Sequence, residues 1–114
     1  MVMKRNEIWW ASLPEATGSS PAFRRPVLIV QADAFNVSYI RTVIVLAITS
    51  NLRLANAPGN VLINAQKSGL SRDSVINVSQ ILTVDKEFLT DYVGTLSGRI
   101  MQQVEDGMRL ALSL

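Results

Sequence analysis

From Thr42 to Ile48 the chain reads Thr-Val-Ile-Val-Leu-Ala-Ile, apolar or β-branched at every position. Branched side chains are stiff about χ1 and pack well on a pleated surface, so this run predicts a strand in the middle of a sheet. Two further segments read as strands beside it. Pro26–Gln31 is apolar, with Pro26 tolerated at its first position because proline has no N–H to give a ladder. Ser74–Val84 alternates Val75, Ile76, Val78, Ile81 and Leu82 with Asn77, Ser79, Gln80 and Thr83. Its period of two slips at Ser79-Gln80, which predicts a bulge. Glu7–Leu13 is a short aromatic strand, and Asn60–Asn64 another short one.

Pro14–Phe23 holds Gly18, Ser19, Ser20 and two prolines and is expected to be a loop, longer than a tight hairpin turn. Asn51–Gly59 and Lys67–Arg72 read as loops, and Asp85–Leu89 as a single turn. Only the C-terminus carries a sustained helical pattern. Ser97 suits an N-cap, and Ile100, Met101, Val104, Met108, Ala111 and Leu112 form one stripe to about Leu112. Gly107 within it weakens a helix by about 1 kcal/mol relative to alanine. The expectation is one domain, residues 1–114, mainly β, with a small bent antiparallel sheet closed by a C-terminal helix. A sheet this small leaves edges to manage, and homodimerisation is an economical answer, with the helix stripe and the Val/Ile strands as candidate contacts.

With 48% hydrophobic and 18% charged residues the chain is expected to be globular. It has no His and no Cys, which removes imidazole, thiolate and disulfide chemistry and fits a reducing compartment. No stretch approaches the roughly 20 apolar residues of a membrane span. Lys4, Arg5, Asn6 and Glu7 interrupt any leader-like segment, so a cytoplasmic protein with no membrane partner is expected. Charge is unevenly placed. Residues 1–72 hold eight basic and three acidic residues, and residues 73–114 hold three basic and six acidic ones. The basic part suggests a polyanionic partner.

Two places could hold a phosphate. Arg24-Arg25-Pro26-Val27 puts a planar guanidinium fork at the start of one strand. Ile48-Thr49-Ser50-Asn51 puts a hydroxyl at the end of the central strand. Trp9 and Trp10, adjacent on one strand, must face opposite sides. One is expected in the core, and an exposed aromatic can stack on a base.

The segments Glu7-Ile8-Trp9-Trp10-Ala11-Ser12-Leu13-Pro14, Gly18-Ser19, Arg25-Pro26-Val27, Asp33-Ala34-Phe35-Asn36 and Ile48-Thr49-Ser50-Asn51 occur in this order. They are followed by Pro58-Gly59-Asn60-Val61, Asp73-Ser74-Val75, Gln80, Thr83-Val84-Asp85 and Val93-Gly94-Thr95-Leu96. In order and spacing over nearly the whole chain they resemble the MazF/PemK toxin family of toxin–antitoxin systems. The resemblance implies a small SH3-like barrel of the CcdB/PemK type and a homodimer. It implies metal-independent cleavage of single-stranded RNA, mainly mRNA, at short motifs, leaving a 2′,3′-cyclic phosphate and a 5′-hydroxyl, with no cofactor. It also implies a MazE-like antitoxin whose acidic tail lies in the RNA groove. The family's catalytic arginine falls on Arg25 and its catalytic threonine on Thr49. Arg24 and Arg53 are expected at backbone phosphates, and Ser19, Ser20, Ser50, Asn51, Asn77 and Gln80 at the substrate. Ser20 stands where the family often has an acidic residue, and Asn77 and Ser79 where some members have charged ones.

Arginine is a poor base because its guanidinium holds its proton. Arg25 therefore reads as an electrostatic clamp, alone or also as the donor to the leaving 5′-oxygen, with water or Glu15 as base. The competing reading is a CcdB-like gyrase poison, which would need a gyrase-binding face and no Arg/Thr phosphate pair.

Overall fold

The computed structural model describes residues 2–13 and 23–114. Six strands form one sheet: β1 (Glu7–Leu13), β2 (Phe23–Ile29), β3 (Thr42–Thr49), β4 (Val61–Ile63), β5 (Ser74–Asp85) and β6 (Leu89–Thr95). Their order is β4-β5-β3-β2-β1-β6, and every neighbouring pair is antiparallel. The apolar run at Thr42–Ile48 is β3, paired on both edges as its composition requires. Among the described residues, α-helix occurs as the single turns α1 (Asp33–Asn36) and α2 (Ala65–Ser68) and the long α3 (Gly98–Leu112), with short 3₁₀ turns at Leu52–Asn56 and Lys86–Phe88.

The curled sheet buries side chains on both faces. On one face Ile8, Leu28, Leu46, Ile48, Ile76 and Val78 meet Ile100, Met101 and Val104 of α3. On the other, Trp9, Ala11, Val27, Ile29, Val43 and Val45 form a second core with Met3, Val84 and Leu89. Helix α3 begins as expected, with the Ser97 hydroxyl accepting the Ile100 N–H at 3.3 Å. Burying a side chain of the size of Ile100 or Met101 stabilises by about 1.5–3 kcal/mol, so the stripe rather than propensity holds the helix. The two edges approach through glycine: a Cβ on Gly94 of β6 would lie 2.7 Å from the carbonyl oxygen of Ser68, the last residue of α2.

The bulge in β5 falls where the period slips. Leu46 pairs with Ile81 and the next residue, Ala47, pairs with Asn77, so Val78, Ser79 and Gln80 have no partner on β3. Asn60 pins this irregularity: its Oδ1 accepts the Val78 N–H at 2.9 Å, and its Nδ2 donates to the Leu54 carbonyl at 2.9 Å.

Two local expectations need correction, at β2 and at residues 65–68, and two elements, β6 and α1, had no reading in the sequence. Strand β2 begins at Phe23, so Pro26 is its fourth residue. The N–H of Val30 goes to Ile44 on β3, and alternation then turns the nitrogens of Leu28 and Pro26 the same way. The β2–β3 ladder runs only over Val27–Ile29, so the missing donor of Pro26 lies just past its end. Residues 65–68 form a helical turn rather than leading straight into a loop, because the Asn64 side chain caps it and Gly69 leaves it with φ +84°. Residues 89–95 form edge strand β6, hidden in the sequence because two register shifts against β1 break its alternation. Residues 33–36 form α1. There Asn36 and Gln31 are buried against each other, with Gln31 Nε2 donating to Asn36 Oδ1 at 2.9 Å. The expected loop over 14–22 lies outside the described residues.

Candidate active site

The β2–β3 register places Val27 opposite Ala47, Leu28 opposite Leu46 and Ile29 opposite Val45. Carried two residues past the end of the ladder, it sets Arg25 opposite Thr49. Because Val30 bonds to Ile44, the positions of Arg25 and Thr49 correspond to a non-hydrogen-bonded pair, the kind in which opposed side chains stand closer. The two residues chosen from the sequence are thus neighbours in the fold, both half-buried.

A cleft of about 500 Å³ opens where the strands part. Its walls are Trp10 of β1, Arg24, Arg25 and Pro26 of β2, Ile48, Thr49 and Ser50 at the end of β3, and Leu70, Ser71, Arg72 and Ser74 leading into β5. Three of these side chains are guanidinium groups and none is a carboxylate, so the cleft is electropositive and suited to phosphate. Thr49 is oriented by its own turn. Its Oγ1 accepts the Asn51 N–H at 3.1 Å, leaving the hydroxyl proton as the part that can be given to a ligand.

Arg24 lies on the rim, its guanidinium carbon 5.0 Å from the centroid of the Trp10 ring. Its Nη2 reaches Asp91 Oδ2 at 2.5 Å and Thr90 Oγ1 at 3.5 Å on β6. The neighbouring tryptophan, Trp9, is 6% exposed, sits in the second core and donates from Nε1 to Glu7 Oε1 at 3.0 Å. The two tryptophans face opposite sides as expected, with Trp9 the one in the core.

Of the other residues named from the sequence, Ser50 is in the cleft and Asn51, Arg53, Asn77 and Gln80 are not among its walls. Asn51 caps a 3₁₀ turn over Leu52–Asn56, its side chain accepting the Arg53 N–H at 3.2 Å. Asn77 and Gln80 face one another across the β5 bulge, 3.5 Å apart, and Ser79 donates to Asn77 at 2.9 Å. Ser19, Ser20 and Glu15 lie outside the described residues. Sequence reasoning missed Leu70, Ser71, Arg72 and Ser74. Their only signal was the surplus of basic residues to which Arg72 belongs, since they reach the cleft through the α2–β5 connection. Among the described residues, no three His, Cys, Asp or Glu side chains gather where they could hold a metal ion.

A curled antiparallel sheet with a helix on one face and an arginine-lined cleft at its splayed strand ends defines a small β protein with a site suited to an anion. The chain belongs to the family of PemK-like, MazF-like toxins of type II toxin–antitoxin systems, whose sequence model matches residues 4–112. It is 49% identical to "Endoribonuclease MazF6" of Mycobacterium tuberculosis over 114 residues, 100% of both chains. It is 39% identical to "Endoribonuclease EndoA" of Bacillus subtilis over 114 residues, 100% of this chain and 97% of that protein. Among solved structures, the fold is similar to MazE–MazF from Deinococcus radiodurans, with TM-score 0.83, 17% identity, and 100% and 98% of the two chains covered. It is similar also to a mycobacterial endoribonuclease in complex with its cognate antitoxin, with TM-score 0.79, 24% identity, and 98% and 96% covered.

Proposed function

We propose that this chain is the toxin of a type II toxin–antitoxin pair and acts as a metal-independent endoribonuclease on single-stranded RNA, mainly mRNA. The observation that carries the reading is the register of Arg25 against Thr49 at the mouth of an arginine-lined cleft. The names of the 49% and 39% identical relatives favour a nuclease over a gyrase poison.

In the proposed reaction the substrate's 2′-hydroxyl loses its proton to water or to Glu15. The 2′-oxygen then bonds to the adjacent phosphorus, the bond from phosphorus to the 5′-oxygen breaks, and that oxygen takes up a proton. A 2′,3′-cyclic phosphate and a 5′-hydroxyl result. Arg25 offsets charge on the non-bridging oxygens with two parallel donors, and the Thr49 hydroxyl donates to the same phosphate. Arg24 and Arg72 hold flanking phosphates electrostatically.

The protein acts in the cytoplasm as a homodimer. Among the described residues no helix is long and apolar enough to cross a membrane. Because α3 spends Ile100, Met101 and Val104 on its own core, the apolar surface left for a second copy includes Ile44, Ile81, Leu110 and Leu112, all exposed. A MazE-like antitoxin inhibits by laying an acidic tail in the arginine-lined cleft. Incubating the purified protein with a long single-stranded RNA and mapping the new 5′ ends tests the activity directly. Discrete 5′-hydroxyl ends are expected, and intact RNA under every buffer condition would refute the reading. Light scattering at low micromolar concentration tests the dimer, which a fully active monomer would exclude.

A further inference from the structure

Arg24 covers one aromatic face inside the cleft. The Trp10 ring lines the cavity, packs against the α3 core, and carries the Arg24 guanidinium over it at 5.0 Å. Arg24 is not held there by the ring alone. Asp91 Oδ2 takes its Nη2 at 2.5 Å, and Thr90 Oγ1 both accepts from Arg24 at 3.5 Å and donates to Asp91 at 3.0 Å. Thr90 is fixed in turn to strand β1, its hydroxyl lying 3.2 Å from the Trp10 carbonyl oxygen.

This arrangement has the form of a capped stacking surface. Trp10 is rigid, being in mid-strand between Trp9 and Ala11 and seated on buried aliphatics. Arg24 is the movable part: its side chain is 53% exposed and that of Asp91 63% exposed, and such surface ion pairs hold weakly. A nucleobase stacks on an indole more strongly than an exposed ion pair resists displacement. The guanidinium, once moved off the ring, meets a phosphate as good a partner as Asp91.

We propose that Trp10 is the nucleobase-stacking platform of the cleft, and that RNA binding replaces Arg24 on its face with a base while Arg24 passes from Asp91 to a flanking phosphate. This rests on the ribonuclease reading, and it adds the residue that positions one base beside the Arg25–Thr49 phosphate. A stack is tolerant of base identity, so Trp10 sets where the strand lies, and discrimination falls to polar groups around it.

The test uses an oligonucleotide copied from a mapped cleavage site and 2′-O-methylated throughout, so that the attacking oxygen is blocked. Binding is read twice, by anisotropy of a label on the oligonucleotide and by intrinsic tryptophan emission. Titration should quench the wild-type emission, and Trp10→Phe, which retains only Trp9, should lose most of that quenching while binding within a few-fold of wild type. Trp10→Leu should weaken binding roughly 10- to 100-fold. One abasic position should cost the wild type a similar factor and cost Trp10→Leu almost nothing further. Asp91→Asn should tighten binding a few-fold, beyond any gain from Asp106→Asn, which removes the same charge on α3. Binding with unchanged emission, or abasic losses fully additive with Trp10→Leu, would overturn the platform and leave the nuclease standing. Absence of any cleavage by wild-type protein would remove both.

Discussion

Gly107 of α3 rests directly on Gly59: a Cβ built on Gly107 would stand 2.1 Å from the Gly59 carbonyl oxygen. Gly59 itself has φ +81°, a left-handed conformation that favours glycine. The glycine that weakens α3 as an isolated helix is thus what lets the helix lie on the β4–β5 end of the sheet. Gly107→Ala should therefore lower stability by about 1–3 kcal/mol despite alanine's better helix propensity. Thermal unfolding checks this, and a raised melting temperature would mean that helix propensity outweighs the backbone contact.

The proposed catalytic pair, Arg25 and Thr49, should separate by chemistry. Arg25→Ala is expected to slow cleavage by about 10²- to 10³-fold, and Arg25→Lys nearly as much, since an ammonium cannot reproduce the two-pronged contact. Thr49→Ser should keep most activity and Thr49→Val lose it, because only the former retains the hydroxyl. Single-turnover cleavage with circular dichroism to confirm folding measures this. Near-normal cleavage by Arg25→Lys would show that positive charge alone suffices.

Chelation should leave the reaction running. The chain has no His or Cys, and among the described residues the cleft walls carry no carboxylate. Rates in EDTA should match those in magnesium once ionic strength is equalised. A rate that collapses in chelator and returns with a divalent cation would point to a metal held elsewhere.

Asp33 should contribute to acid sensitivity. Its Oδ1 accepts the Arg5 N–H at 2.7 Å and Asn36 Nδ2 at 3.0 Å, and with Lys4 and Arg5 nearby these hold its carboxyl below the usual carboxylate range. A carboxyl lowered in the folded state stabilises fully above its unfolded pKa. That share is lost as the pH falls through the lowered folded value. Asp33→Asn should thus be less stable than wild type at neutral pH, with the gap closing below about pH 4. Urea midpoints from pH 2.5 to pH 7 decide the matter, and a gap that widened in acid would contradict it.

Legibility in the sequence followed the physics of each segment. Strand β3 was plain because Val45 to Ile48 are buried and need no alternation, and β1 because its aromatic residues sit between a polar start and a proline. The β5 bulge was visible as a slip of period, and α3 as a cap and a stripe. Strand β6 was not, since its register shifts erase the pattern that would mark it. Arg25 and Thr49 could be chosen by chemistry and resemblance, but that they face one another is a fact of pairing. Arg72 was legible only as charge, because the turn that brings it to the cleft depends on the Asn64 cap, on Gly69, and on Asp73 accepting the Ala65 N–H at 2.9 Å.

Pro26 gives the cleft an origin in a missing proton. The register would set its nitrogen against Ile48, at a rung where strands β2 and β3 would otherwise be stitched together. A residue with an N–H there could zip the sheet one step further and draw its lips shut between Arg25 and Thr49. Toxicity would then be lost by gaining a hydrogen bond, with every reactive group intact. Pro26→Val should show this as a slowly exchanging amide at residue 26 together with weakened RNA binding, and unimpaired binding with that amide protected would break the link between the unzipped rung and the open mouth.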